Sequence, residues 1–538
     1  MTTFDPISAQ STRPPTRTTS RMVAITATVC LTAAACGGGG SGGGSGPGAD
    51  GGTVTIGLAS DPGTLDPLGT AGSAAGVMNV FAYDALVNIA ADGQVVPGLA
   101  RSWQVDGANR VGFGLREDVT CGDGTPLKAS DVANEFNHIA DPKNQSPLLG
   151  LTVPRSTTAS GDDTTRTVTL TTQDPAPMLL RMASMVAIAC PKGLKAPGTL
   201  ARASDGTGPY VLSEVVPGDH YTYVKRKGYT WGPGGASNEQ SPKKVIFKVV
   251  SSETTAANLL LSGRLDIAQV IGPDRQRLEG SGLKPQSVNA LLGQFIFAET
   301  PGHPTADERV RRALVQALDL RQLGSVATGG EGTPSKGLGL VEPRMCPGDN
   351  IAGNLPAHDL AQAAAELTAA GWTKSGNGWT KDGRALEIRF TYSGGGEQTT
   401  AAAELAVQQW KALGVKVAVT TFTATTLAST LGGDAWDVSW PPITAALPDQ
   451  LVPFFSGPRP PAGMNFGGTD NPDHQRLVAA ARVKPDAAGC ADWSAAEVAL
   501  FKRVDVVPFV DTRVTMFGKG VTFRLDRGAI VPTALRKN

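Results

Sequence analysis

The chain has 538 residues, and its 48 Lys and Arg are matched by 48 Asp and Glu, so the formal net charge is zero at pH 7. Balanced charge without a basic block argues against nucleic acid and against a polybasic membrane surface, which leaves a small solute or a protein as partner. Beyond the N-terminal segment no apolar stretch is long enough to cross a bilayer, and the remaining length suffices for two or three domains.

In chain order, Arg13, Arg17 and Arg21 precede an apolar stretch from Met22 to Ala35. The stretch is short for a membrane span and ends in small residues, so residues 1–36 are expected to be an export signal. Leu31-Thr32-Ala33-Ala34-Ala35-Cys36 resembles a bacterial lipobox, which implies a lipid on Cys36. Residues 37–52 are almost all Gly and Ser and read as a flexible tether. Gly39-Gly40-Ser41-Gly42-Gly43 matches the pattern G-x-S-x-G, but no strand and helix flank it to hold a nucleophile.

Val54, Ile56 and Leu58 alternate with polar or small residues and open the body with a strand, broken at Asp61-Pro62-Gly63. A turn at Asp123-Gly124 leads to a helix in which Ser130 is expected to accept a backbone N–H and Val132, Phe136 and Ile139 share one face. Thr167–Thr171 alternates, and a helical stretch then carries Leu179, Leu180 and Met182. Gly206-Thr207-Gly208-Pro209-Tyr210 reads as a constrained turn before a strand, Lys244–Val250 as a strand and Ser252–Leu261 as a helix. From Asp307 to Leu320, Val310, Ala313, Leu314, Ala317 and Leu318 form a helical stripe, with Arg309, Arg311 and Arg312 mainly off it as a solvated face. A helix stopping at Gly371 and a hairpin turning at Asp382-Gly383 follow. Leu386, Ile388 and Phe390, the helix 402–413, and Val415, Val417 and Val419 make strand, helix and strand, which implies a parallel pair and an α/β body.

The five histidines, His138, His220, His303, His358 and His474, are scattered, and no P-loop or dinucleotide fingerprint occurs, so no metal, cofactor or catalysis is expected. Cys121, Cys190, Cys346 and Cys490 form an even set without C-x-x-C spacing, which points to two disulfides in an oxidising compartment. Three pairings remain open from the spacing alone.

Val96-Pro97-Gly98-Leu99-Ala100-Arg101-Ser102-Trp103, then Phe113-Gly114-Leu115-Arg116-Glu117-Asp118-Val119, then Asp123-Gly124-Thr125-Pro126-Leu127-Lys128-Ala129-Ser130-Asp131-Val132 form an ordered set. It resembles the signature of the family-5 solute-binding proteins of ABC importers, the peptide and nickel binders. Gly206-Thr207-Gly208-Pro209-Tyr210 and the segment from Asp359 through Trp372 to Gly383 extend the similarity. The resemblance implies a periplasmic-binding-protein-like α/β clamshell, three domains forming two lobes. Domain I is expected from 53–92, 203–290 and 516–538, domain II from 93–202 and domain III from 291–515. That plan pairs Cys121 with Cys190 and Cys346 with Cys490, each within one domain.

The implied function is capture of a peptide or peptide-like solute, delivered to an ABC permease and ATPase by a monomer lipid-anchored on the outer face of the cytoplasmic membrane. Position by position, Asp61 and Gly63 match the family's first ligand-contacting loop, Trp440 and Pro441 the later one, and Tyr83 is a weaker candidate. Peptide-binding relatives carry an aspartate for the peptide ammonium three residues after the tryptophan, and Ile443 stands there, leaving Asp449 or Asp437 as substitutes. A nickel chelate, haem or oligosaccharide is the alternative cargo, and a secreted hydrolase or a sensor on the same scaffold the alternative role.

Overall fold

A computed structural model describes residues 52–70, 72–338, 341–394, 396–423 and 426–538. The export signal, Cys36, the G-x-S-x-G match and all but the last residue of the tether lie outside the described residues. Ten strands form one mixed sheet: β1 Thr53–Leu58, β2 Tyr210–Val216, β3 His220–Lys225, β4 Lys244–Val249, β5 Ile267–Gln269, β6 Pro285–Phe297, β7 Glu387–Ser393, β8 Lys416–Phe422, β9 Val438–Trp440 and β10 Val506–Gly518. Their order is β8-β7-β9-β6-β10-β5-β1-β4-β3-β2. β1 lies parallel to β4, and β7 lies parallel to both β8 and β9, with the helix Glu397–Leu413 making the crossover that the parallel pair β7–β8 requires.

β6 and β10 differ from the rest in length, at 13 residues each. They pair antiparallel from Pro285↔Phe517 to Ile296↔Val506, with an irregularity at Gly293. A Cβ at Gly293 would stand 2.4 Å from the Phe509 ring, so only glycine lets the two strands close at that point.

The two ends of this ribbon feed different apolar cores. Met516 belongs to a core that gathers Val54, Phe81, Phe113, Phe136 and Phe247, whereas Phe295, Phe297, Val507 and Phe509 join Leu314, Phe390 and Trp410. Period-two alternation places Val54 and Ile56 inward on β1, and the helix Ala129–Ala140 buries Val132, Phe136 and Ile139 against a separate four-stranded sheet. Cys121 is bonded to Cys190 beside the first core, and Cys346 to Cys490 within a methionine-rich cluster.

Three local expectations are corrected. Ser130 is not the helix cap: Lys128 holds that position, its N–H donating to the Asp131 carboxylate, while the Ser130 hydroxyl donates to Asp163. The run from Asp307 to Leu320 is two elements, Glu308–Gln316 and Leu320–Thr328, because Asp319 takes extended backbone and accepts from the N–H groups of Arg321 and Gln322. Arg311, assigned to a solvated face, is 1% exposed. Its guanidinium lies 3.0 Å from Asp505 and 3.3 Å from Glu299 and donates to the carbonyls of Val504, Thr305 and Arg503. Burial pushes the pKa of both carboxyls up, so the arginine is what tolerates either charge there. Arg311→Ala is therefore expected to destabilise the protein by about 3–5 kcal/mol, the range for stranding a buried charge, measured as a lowered urea midpoint.

Candidate functional site

Midway along the ribbon, Ser287, Val288 and Asn289 of β6 and Asp511 and Arg513 of β10 face a cavity of about 1110 Å³. Thr333–Lys336 and Glu342–Arg344 wall one side, and Arg524–Arg527 the other. A second cavity of about 480 Å³ lies beyond, with apolar walls that include Val77, Val80, Tyr83, Leu148, Leu151 and Met185. Asp526 and Arg527 line both. They belong to a C-terminal hairpin in which Leu525–Asp526 pairs with Ala529–Ile530. Its two turn residues, Arg527 and Gly528, have φ of +48° and +83°, the left-handed pair that matches the twist of a tight hairpin. At Arg527 this conformation costs roughly 1–2 kcal/mol that glycine would not incur.

The polar groups of the larger cavity are tied in place. Ser335 donates to Asp511 at 2.6 Å, Arg344 stands 3.6 Å from the same carboxylate, and the Asn289 amide donates to both oxygens of Glu342 at 3.1 Å. In the smaller cavity the half-buried Asp84 carboxyl accepts from Tyr229 at 2.7 Å, Thr207 at 2.9 Å and Trp231 at 3.1 Å. Burial raises its pKa, and the three donors partly offset that rise. Gly206 and Gly208 allow this network: a Cβ at either would fall 2.4 Å from the backbone of Ala82, so the constrained turn expected there serves close approach.

Sequence-predicted site residues fall elsewhere. Asp61 accepts from the N–H groups of Gly63 and Gly218 and, at 2.7 Å, from the Tyr221 hydroxyl, which holds its carboxyl below the ordinary value. Gly63 is exposed in the same loop at φ +70°. Trp440 is 4% exposed, packs edge-on to Phe509 and donates its indole N–H to the Leu292 carbonyl at 2.8 Å. Pro441 and Ile443 are buried, the latter beside Trp436 and Leu451. Asp437 pairs with Arg389 and His303. Asp449 is half-buried, but its Oδ1 is shut from water without a hydrogen bond, and burial pushes its pKa up to about 7. Neither Asp61, Gly63, Trp440, Pro441, Ile443 nor Asp449 lines either cavity, whereas Tyr83 lines the smaller one. The hairpin residues and Arg513 carry no motif; the local signal able to place the hairpin is Arg527-Gly528 as a two-residue turn.

The flank of the cleft is closed by contacts between segments far apart in sequence. Arg181 donates to Asp486 and, at 2.8 Å, to the Gly93 carbonyl, and Gln450 donates to the Leu151 carbonyl at 2.7 Å. Met178 and Met182 pack with Met345, Leu447, Val452 and Trp493.

Two cores bridged by a long antiparallel ribbon over a cleft define the clamshell class of solute-binding proteins, with a large central sheet in a mixed α/β body. The profile of the bacterial extracellular solute-binding proteins, family 5, matches residues 94–460, and the chain belongs to this family. Its members bind solutes rather than transform them. Protein XP55 of Streptomyces lividans is 28% identical over 403 residues, 71% of this chain and 69% of that one. The periplasmic murein peptide-binding protein MppA of Escherichia coli is 25% identical over 498 residues, 84% and 86% of the two chains. A substrate-binding protein from Microbacterium hydrocarbonoxydans, solved with 4-hydroxybenzoate hydrazide, superposes with a TM-score of 0.71 at 26% identity, covering 90% of this chain and all of that one.

Two outcomes are expected from this geometry. A carboxyl raised in the folded state favours folding while it is protonated, so the contribution of Asp449 is complete below about pH 4 and is lost as pH rises through about 7. Asp449→Asn should therefore raise stability by about 1–3 kcal/mol at pH 8 and leave it unchanged near pH 4, read from urea melts at both. Arg527→Gly should hold stability or raise it by about 1 kcal/mol, because the left-handed turn no longer carries a side chain.

Proposed function

We propose that this protein is an exported, lipid-anchored substrate-binding protein of an ABC importer, which captures a peptide or peptide-like solute between its lobes and presents the closed form to the permease and its ATPase. The carrying observation is the 1110 Å³ cavity whose floor is the β6–β10 ribbon and whose walls come from segments on either side of it. A concave interdomain site with a few fixed polar groups is what solute capture needs, and ligand then stabilises the closed form by its differential affinity for that state. Similarity to a murein peptide-binding protein supports peptide-like cargo. Cys36 is the acylated residue, Cys121–Cys190 and Cys346–Cys490 persist as disulfides outside the cytoplasm, and the protein acts as a monomer.

A non-peptide solute is the second reading. It is favoured by Ile443, buried in an apolar cluster at the position where the family resemblance implies an aspartate for a peptide ammonium. Native mass spectrometry of the mature body, followed by denaturation, separates the two: a set of short peptides is expected, and a single non-peptide ligand would replace the first reading with the second. The anchor is tested by Cys36→Ser, which should release the protein from the membrane.

Lobe closure generates a further outcome. Arg181→Ala removes the pairing with Asp486 and the bond to Gly93 on the flank of the cleft. The closed population should fall, raising the solute Kd about three- to tenfold in proportion to the lost fraction, with a larger radius of gyration in small-angle scattering.

A further inference from the structure

The two cavities differ in chemistry and meet at one residue pair. The smaller has mainly apolar walls, and its 480 Å³ falls in the range of roughly 300–1,000 Å³ that encloses a drug-sized ligand. The larger is charged, and its charges are unequally engaged. Each of its four acids has a partner. Glu342 holds Asn289, Asp511 holds Ser335 and Arg344, Asp349 accepts from the N–H groups of Ile351 and Ala352, and Asp526 faces Arg527 at 3.8 Å. Lys336, Arg513 and Arg524 line the same cavity, and their side chains make no hydrogen bond or ion pair among the described residues. Arg527 stands at the junction with only the long contact to Asp526.

Resting on the solute-binding reading, we infer that the cargo is an amphiphilic anion: an N-blocked, peptide-like carboxylate whose apolar body fills the smaller cavity and whose carboxylate is held by Arg527 and the unpaired cations of the larger one. The physical reason is a mismatch of unsatisfied charge. The carboxylates already accept from Asn289, Ser335, Arg344 or backbone N–H groups, whereas Lys336, Arg513 and Arg524 are free to donate charge-assisted hydrogen bonds, which a carboxylate can accept and an ammonium cannot. The tight turn at Arg527–Gly528 fixes the junction cation on backbone rather than on a mobile loop.

The test is titration calorimetry with three probes of matched size: a hexanoyl dipeptide with a free C-terminal carboxylate, the same compound as its C-terminal amide, and a tripeptide amide with a free N-terminal amine. The carboxylate is expected to bind at least about tenfold more tightly than either of the others, the scale of one charge-assisted hydrogen bond. In the double variant Arg513→Glu, Arg524→Glu that preference should vanish while the affinity of the neutral amide stays within twofold, which a merely misfolded variant would not preserve. Arg527→Gly, whose turn accepts glycine, should reduce the preference in the same way. Binding of the free-amine tripeptide as tightly as the carboxylate overturns the inference and leaves the peptide-binding reading standing. Binding of none of the three, with a non-peptide recovered by native mass spectrometry, overturns both.

Discussion

The rest of the architecture depends on the backbone pairing of β6 with β10. A segment that crosses from one apolar core to another must satisfy its N–H and C=O groups along the way, and two 13-residue strands do so by bonding to each other through the gap. A paired ribbon can bend without losing its hydrogen bonds, which suits the lobe rotation proposed for solute capture. Its middle, Ser287–Asn289 and Asp511–Arg513, belongs to neither core, and a cavity forms where side chains from both cores stop short of it.

Buried and half-buried ionisable groups mark places where segments distant in sequence are locked together. Arg311 ties the start of one helix to the loop at Arg503–Asp505 ahead of β10, and Asp84 ties Thr207 to Tyr229 and Trp231 beside the smaller cavity. Such pairs contribute little net stability compared with apolar replacements, but they penalise wrong arrangements heavily, since any slip strands a charge in a medium that cannot solvate it. Glu135 shows the other solution: fully buried, with one oxygen accepting from Ala189 N–H and the other unpartnered, its pKa is pushed well up by burial.

The C-terminal hairpin gives the cleft its character. Leu525 lines the charged cavity, Ala529 and Ile530 line the apolar one, and Asp526 and Arg527 line both, so the hairpin stands where the two meet.

Where periodicity is local, the sequence alone determined the outcome. The strands at Val54–Leu58 and Thr167–Thr171, the face carrying Val132, Phe136 and Ile139, the glycine stop at 371 and the turn at Asp382-Gly383 depend on side-chain alternation or left-handed backbone, and both are written in neighbouring residues. The ordered motifs also identified the family and hence the α/β clamshell. Tertiary structure alone decided that Arg311 is buried, because its carboxylate partners Glu299 and Asp505 are 12 residues before it and 194 after it. It likewise decided that Trp440 and Ile443 pack into the interior and that Arg513, Arg524 and Arg527 face the cleft. A cavity is the space left when distant segments finish packing, so its walls follow from the sum of those contacts and leave no periodic trace in the chain.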